Sequence, residues 1–142
     1  MTVSLFARSP RRLLPPRILI VEDSFGLAEA VCDAARDCGL EPVGPAYTLN
    51  AGLDAAAVQP IAGAVLDIDL RGRPCFPICA VLARRGVPFL FLSGYCEAEA
   101  RLFVPSEYDW AGHIEKPFSS RRFRDGLDFM FGARPAALPV RQ

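Results

Sequence analysis

The chain has 142 residues, 51% of them hydrophobic, and its mean hydropathy is +0.23. These values predict one folded domain and exclude a disordered chain. Sixteen Lys and Arg balance sixteen Asp and Glu, so no net field would recruit nucleic acid or an anionic membrane surface. The apolar runs fall far short of the roughly 20 residues that a membrane helix needs.

The five cysteines are an odd set without a Cys-x-x-Cys pair, and no signal peptide is recognisable. This pattern predicts reduced thiols and a cytoplasmic protein. Most of the cysteines are interpreted as small core residues. Cys96 follows the Ser93-Gly94-Tyr95 turn, and a redox role is the alternative there.

The first part of the chain alternates strand and helix patterns. Residues 1–16 carry arginines between prolines without any period, which predicts a flexible basic arm, with a docking tail as the alternative. Residues 17–21 are apolar enough for a central strand, and Ser24 is predicted to cap the helix that follows. Apolar positions recur at helical spacing until Gly39 ends this helix: Leu27, Val31, Ala34 and Cys38.

The middle of the chain continues the alternation. Residues 40–46 contain two prolines, which cannot donate to a central ladder, so this strand is predicted at an edge. Thr48 begins a short helix. Residues 61–66 predict a third strand that leads directly into Asp67, and a third helix follows over 77–85.

Two more strands follow. Residues 87–92 are apolar throughout and end at Ser93. The helix pattern over 97–104 is weak, and a proline ends it. Residues 111–115 predict a short fifth strand, which is followed by Lys116.

A last helix completes the predicted domain, which covers residues 17–131. Ser119 is a good cap for this helix, and Phe118 and Phe123 are spaced as a hydrophobic staple. Residues 132–142 predict a disordered tail. Five strands that alternate with helices indicate an α/β fold, a flavodoxin-like doubly wound parallel sheet with strand order 2-1-3-4-5.

This fold would bring five polar side chains to one edge of the sheet. Glu22 and Asp23 follow the first strand, Asp67 the third, Ser93 the fourth and Lys116 the fifth. Each has an ordinary interpretation as a helix cap, a turn residue or a solvated lysine. The combination at the carboxyl ends of parallel strands, where such folds bind ligands, favours a functional site.

The types of these side chains indicate phosphoryl chemistry. Three neighbouring carboxylates repel one another unless a cation lies among them, and an all-oxygen set suits Mg²⁺ better than Zn²⁺. With the metal bound, Asp67 can attack phosphorus while Lys116 neutralises the phosphoryl oxygens. The product is an aspartyl phosphate, to which Ser93 can donate a hydrogen bond.

At this point the sequence resembles the receiver domains of two-component response regulators. The resemblance covers residues 17–131 and rests on four segments in order: Leu19-Ile20-Val21-Glu22-Asp23, Leu66-Asp67-Ile68-Asp69-Leu70, Ser93-Gly94, and Glu115-Lys116-Pro117-Phe118.

The resemblance implies that Asp67 accepts a phosphoryl group from a sensor histidine kinase or a histidine phosphotransfer protein. It also implies that Ser93 is the switch hydroxyl and that the Lys116-Pro117 bond is cis. The implied arrangement of Mg²⁺ uses the side chains of Glu22, Asp23 and Asp67 and the main-chain carbonyl of Asp69.

Three departures from the family pattern bear on signalling. His113 stands three residues before the lysine, where the family has a tyrosine or phenylalanine; a structural histidine and a pH-sensitive switch are the two interpretations. Arg71 replaces the usual proline after the phosphoacceptor. The weak helix pattern over 97–104 predicts an altered signalling face, while residues 89–95 resemble a stand-alone bacterial subgroup with a Phe-x-x-Ser/Thr-Gly-Tyr motif.

About eleven residues follow the last predicted helix, so no output domain is expected. The expected role is a non-enzymatic regulator that contacts an unknown downstream protein, or a phosphate sink. One alternative is a degenerate receiver that binds a partner without phosphorylation. The other is a haloacid-dehalogenase-like phosphatase, because Asp67-x-Asp69 followed by a serine and a lysine is also that family's order; the upstream acidic pair and the short chain argue against it.

Overall fold

The computed structural model describes residues 14–137 of the chain, with side chains described as far as residue 132. Residues 1–13 of the predicted basic arm and residues 138–142 of the predicted tail lie outside this range. The elements in chain order are β1 (Arg17–Val21), α1 (Phe25–Asp37), β2 (Glu41–Ala46), α2 (Leu49–Val58), β3 (Gly63–Asp67), β4 (Asp69–Leu70), β5 (Arg73–Pro74), α3 (Phe76–Arg84), β6 (Phe89–Ser93), α4 (Glu97–Ala100), a 3₁₀ helix (Ser106–Tyr108), β7 (Gly112–Glu115) and α5 (Ser120–Ala137).

Five strands form one parallel sheet in the order β2-β1-β3-β6-β7. Counted without the short β4 and β5, this is the predicted order 2-1-3-4-5, and the flavodoxin-like fold is confirmed. The strand with two prolines, β2, lies at an edge as predicted, because proline cannot donate to a central ladder.

The sheet separates two apolar layers, since successive side chains of a strand point to opposite faces. Leu19 and Val21 of β1 pack in one layer with residues of α2 and α3, whereas Ile18 and Ile20 pack in the other with residues of α1 and α5. The strands are buried on both faces, which explains why β1, β3 and β6 read as continuous apolar runs.

Helix α1 differs from its prediction in two respects. Its buried stripe consists of Ala28, Val31, Cys32 and Ala35, while the predicted Leu27, Ala34 and Cys38 flank the stripe and are half-buried. The small alanines face the sheet because they allow close approach of the helix. Ser24 occupies the predicted N-cap position, but its hydroxyl makes no capping hydrogen bond.

The other predicted caps are confirmed. Thr48 Oγ1 accepts a hydrogen bond from the Ala51 N–H at 3.1 Å, and Ser119 Oγ accepts one from the Arg122 N–H at 3.1 Å. The rings of Phe118 and Phe123 lie 5.4 Å apart and form the predicted staple.

Two regions after β6 depart from regular structure. Helix α4 is a single turn, as its weak pattern indicated, and the 3₁₀ helix follows Pro105. Helix α5 continues to Ala137, so the segment predicted as a tail from residue 132 is helical over its first part. The tail was predicted because this segment contains two prolines, of which Pro135 lies in the last turn of α5 and Pro139 lies outside the described residues.

The described part of the chain contains no helix with both the length and the apolar character needed to cross a membrane. All five cysteines lie in this part, and none of them forms a disulfide in the structure. Cys32, Cys75 and Cys79 are buried core residues.

The contact between α5 and β7 gives a prediction about packing. A Cβ at Gly126 would lie 2.5 Å from Ile114 Cδ1 and 3.0 Å from its Cγ1, whereas a Cβ at Gly26 of α1 would meet nothing within 4 Å. We expect Gly126→Ala to lower the free energy of unfolding by about 1–2 kcal/mol, because the overpacking outweighs the gain in helix propensity. Gly26→Ala is the matched control and should raise it by about 0.5–1 kcal/mol. Urea denaturation measures both, and equal effects of the two variants would contradict the packing account.

Candidate functional site

The carboxyl edge of the sheet collects the predicted polar side chains. Glu22 and Asp23 follow β1, Asp67 is the last residue of β3, Ser93 is the last residue of β6, and Lys116 follows β7. The parallel register brings these strand ends level, since Val21 pairs with Leu66 and Ser93 pairs with Glu115. The predicted site residues therefore lie at the same edge of the sheet.

Three carboxylates form the acidic part of this site. Glu22, Asp23 and Asp67 each offer one oxygen, and the three oxygens lie within 4.8 Å of one another. Glu22 is 1% and Asp67 4% exposed, and Asp23 is half-buried. Such a concentration of negative charge away from water is unfavourable unless cations balance it.

Lys116 supplies one balancing charge. Its Nζ lies 2.9 Å from Glu22 Oε1 and 3.3 Å from Asp67 Oδ2. Burial lowers the pKa of Lys116, but the hydrogen bonds to Glu22 and Asp67 and the charges of these two carboxylates together outweigh burial and raise the pKa above its usual value. Lys116 is thus a firmly held ammonium group between two buried carboxylates.

Asp67 has the most perturbed carboxyl group of the site. Burial raises its pKa most, the charge of Glu22 raises it further, and Lys116 lowers it, with the result that the pKa of Asp67 is about 7. A carboxylate that is poorly solvated and close to its pKa at neutral pH is a good candidate for a reactive group.

The donor set fits a divalent cation. Glu22 Oε1 is buried and, apart from its ion pair with Lys116, has no hydrogen-bond partner among the described residues. When all three carboxylates are ionised, one ammonium leaves an excess of two negative charges, and all the donors are oxygens, which Mg²⁺ prefers. Glu22, Asp23 and Asp67 are the side chains that could hold such an ion.

A short hairpin adjoins the site, and the sequence patterns did not predict it. β4 and β5 pair antiparallel, and Arg71 and Gly72 between them have positive φ angles of 56° and 84°. The Arg71 N–H donates to Asp23 Oδ2 at 3.0 Å, which orients this carboxylate. Arg71 stands where the resembled family has proline, which has no N–H to donate.

Asp69 has a different position from the other predicted ligands. Its carboxylate is exposed, and Oδ1 accepts a hydrogen bond from the Gly72 N–H at 2.8 Å. The carboxylate therefore closes the hairpin turn and does not belong to the acidic cluster. Only the main-chain carbonyl of Asp69 is left as the expected contribution to a metal site.

Ser93 is 1% exposed, and its hydroxyl has partners on both sides. Ser93 Oγ accepts a hydrogen bond from the Tyr95 N–H at 3.2 Å and lies 3.0 Å from Nε2 of His113 on β7. The sequence patterns did not reveal this pairing. The pairing of β6 with β7 explains the contact. Phe91 pairs with His113, and Ser93 lies two residues further along β6 on the same face of the sheet.

The Lys116-Pro117 peptide bond is cis, as the resemblance implied. Among the predicted site residues, the three carboxylates of Glu22, Asp23 and Asp67 lie together, and Lys116 contacts Glu22 and Asp67.

Comparisons with solved structures show close similarity of fold. A response regulator receiver protein from Sinorhizobium medicae WSM419 matches with a TM-score of 0.72 and 22% identity, over 87% of this chain and 99% of that chain. SdrG from Sphingomonas melonis Fr1 matches at 0.70 and 29% identity, over 82% and 96% of the two chains. The HemR receiver domain from Leptospira biflexa matches at 0.69 and 28% identity, over 82% and 94%. No protein-family model and no curated protein matches the sequence.

Proposed function

We propose that this chain, which is a response regulator receiver domain, accepts a phosphoryl group on Asp67 in a Mg²⁺-dependent reaction. The observation that carries the proposal is the position of the Asp67 carboxylate. It is buried at the carboxyl edge of the sheet, 3.3 Å from the Lys116 ammonium and beside the acidic pair of Glu22 and Asp23.

The chemistry follows from the charges around Asp67. A carboxylate oxygen of Asp67 attacks phosphorus, and the bond from phosphorus to the donor's imidazole nitrogen breaks. Lys116 lies where its ammonium can bind an oxygen of the transferred group and balance the charge that this group brings. The Ser93 hydroxyl then donates to another phosphoryl oxygen.

A bound Mg²⁺ would neutralise the excess of carboxylates and polarise the phosphoryl oxygens. Glu22, Asp23 and Asp67 would hold it with their side chains, and Asp69 with its main-chain carbonyl. The hydrogen bond from the Arg71 N–H keeps the Asp23 carboxylate directed for this task.

We propose that the phosphoryl donor is a sensor histidine kinase or a histidine phosphotransfer protein and that the protein acts in the bacterial cytoplasm. The phosphorylated domain then contacts an unknown downstream protein, or it serves as a phosphate sink. In this role the protein is not a turnover enzyme. A phosphatase of the haloacid-dehalogenase type would need a free acid at Asp69, and that carboxylate closes a turn.

We expect a single phosphoryl adduct when the protein is incubated with acetyl phosphate and Mg²⁺, measured as intact mass. Asp67→Asn and addition of a chelator should each abolish the adduct, because the first removes the nucleophile and the second the cation. Asp69→Asn is the matched control and should keep it, since only the main-chain carbonyl of Asp69 is used.

An adduct that persists in Asp67→Asn would place the phosphoryl group elsewhere. No adduct in folded wild-type protein would favour a degenerate receiver that only binds a partner. Loss of phosphomonoester turnover in Asp69→Asn would instead revive the phosphatase hypothesis.

A further inference from the structure

His113 is the single histidine of the chain, and it holds the hydroxyl that the proposed function assigns to the phosphoryl group. Its Nε2 lies 3.0 Å from Ser93 Oγ, on the neighbouring strand of the sheet. Ser93 is 1% exposed, so water does not compete for this contact. The question is which of the two groups donates.

Ser93 has one proton to give. Its Oγ already accepts from the Tyr95 N–H at 3.2 Å, and the hydroxyl has two acceptors in range, His113 Nε2 at 3.0 Å and the Tyr95 carbonyl at 3.5 Å. The shorter contact is the better hydrogen bond, so a neutral His113 with an unprotonated Nε2 takes the proton. A hydroxyl committed in this way cannot donate to a phosphoryl oxygen at the same time.

A protonated His113 reverses the direction of this hydrogen bond. Both ring nitrogens of an imidazolium are donors, so Nε2 must donate to Ser93 Oγ. The Ser93 proton is then released for another acceptor. The protonation state of one ring therefore decides whether the hydroxyl is available.

Charged groups from three elements surround His113. Glu97 of α4, Glu115 of its own strand and Arg122 of α5 act on the ring. Burial is the largest influence and lowers the pKa of His113, Glu97 and Glu115 raise it, and Arg122 lowers it, with the net result that the pKa is below its usual value.

Protons can reach the ring from solvent. His113 lines an open cleft of about 360 Å³ between α4, the 3₁₀ helix and β7. Arg101 and Asp109 are the other charged side chains of this cleft besides Glu97.

We propose that His113 is a positioning residue for Ser93, and that its protonation releases the Ser93 hydroxyl to the phosphoryl group on Asp67. This inference rests on the proposed function of Asp67. It makes acceptance of the phosphoryl signal dependent on proton concentration, which a phenylalanine at position 113 could not do.

The direction of the pH effect follows from linkage. In the free protein, the hydrogen bond from Ser93 favours neutral His113. In the phosphorylated protein Ser93 donates elsewhere, so this bias towards the neutral ring is lost and the pKa of His113 rises. The state with the higher pKa is favoured as the pH falls, and the adduct is therefore more stable below the two pKa values than above them.

Nitrogen NMR of the imidazole tests this directly, because a single histidine in untagged protein gives one unambiguous pair of ring signals. We would titrate the protein with and without Mg²⁺ and beryllofluoride, a mimic of the phosphoryl group whose binding fluorine NMR reports. The expected result is a neutral ring protonated on Nδ1 in the free protein, and a pKa of His113 about one pH unit higher in the adduct.

Two variants isolate the contact. Ser93→Ala should raise the pKa of His113 in the free protein and remove most of the difference between the two states. His113→Phe should reduce several-fold the ratio of beryllofluoride affinities at pH 5.5 and pH 8, with about tenfold as the upper limit that a pKa difference of one pH unit sets. Asp67 and the probe titrate in both proteins, so a comparison of the wild-type and variant ratios cancels their contribution. If His113 had a purely structural role, this titration would be the only pH dependence, and the two ratios would be equal.

An adduct that forms with an unchanged pKa of His113 would overturn the inference while leaving the phosphoacceptor role of Asp67 intact. A neutral ring protonated on Nε2 in the free protein would overturn it equally. No beryllofluoride adduct and no phosphoryl adduct by mass would overturn the proposed function, and this inference with it.

Discussion

Lys116→Met is expected to lower the free energy of unfolding of the metal-free protein by about 2 kcal/mol at pH 8. The ammonium is the cation beside two buried carboxylates, 2.9 Å from Glu22 Oε1 and 3.3 Å from Asp67 Oδ2. Removal of one partner of a buried ion pair typically costs about 3–5 kcal/mol because the remaining charge is left uncompensated. We expect less here, since the Lys116 side chain is 21% exposed and water partly replaces it.

The loss should be smaller at pH 5, where Asp67 can take up a proton and relieve the repulsion. Urea denaturation with a chelator present measures the effect at both pH values. Arg101→Met is the matched control: it breaks an ion pair with Glu97 in which both side chains are more than half exposed, and its effect should stay within about 0.5 kcal/mol. A loss as small as that of the control would show that Lys116 does not stabilise the acidic cluster.

Asp67→Asn is expected to raise the free energy of unfolding of the metal-free protein at pH 8. Burial and the charge of Glu22 raise the pKa of Asp67 from its usual value of 3.8 to about 7 in the folded protein. The folded state therefore binds more protons than the unfolded state between these values. The stability that protonated Asp67 contributes is complete below about pH 4 and is lost as the pH rises to about 7. Asparagine has no charge to bury, so the free energy of unfolding of the variant does not fall for this reason as the pH rises.

The full difference in pKa would correspond to roughly 4 kcal/mol. We expect a gain of about 2 kcal/mol, because Asp67→Asn also removes a partner of Lys116. Denaturation curves at pH 5 and pH 8 should show a larger gain at the higher pH. Asp54→Asn, at an exposed position of α2, should change stability little at either pH. A gain that is equal at both pH values would contradict the assignment of the pH dependence to Asp67.

Both predictions have the same physical origin. The site holds three carboxylates against one ammonium, so it is strained by charge in the absence of a divalent cation. The folded protein bears this charge repulsion at two buried positions, Glu22 and Asp67. In the proposed function, Mg²⁺ binding relieves it, and added Mg²⁺ should therefore stabilise the wild type more than Asp67→Asn.

The elements that the sequence alone determined are those with a strong local cause. β1, β3 and β6 are apolar on both faces, and their only stable place is the centre of a covered parallel sheet. The prolines of β2 exclude it from the centre, and Thr48 and Ser119 cap their helices through their own hydroxyls. The common edge of Glu22, Asp67 and Lys116 followed from strand order, because parallel strands end on the same side.

Tertiary structure decided the features that depend on distances between segments far apart in the chain. The stripe of α1 was set by how closely Ala28 and Ala35 approach the sheet, which the spacing of large apolar residues does not report. The turn at Arg71 is tied by Asp23, 48 residues earlier, and the Asp69 carboxylate closes that turn instead of joining the cluster.

The contact between His113 and Ser93 is another feature that the tertiary structure decided. Each residue alone is an ordinary strand residue, and the hydrogen bond exists because β6 and β7 pair in one register that sets the imidazole beside the hydroxyl. Local sequence determines which side chains reach the edge of the sheet, since burial and capping act over a few residues. Which of them share a proton or a charge is decided by packing, since hydrogen bonds and ion pairs depend on separations that only the folded chain defines.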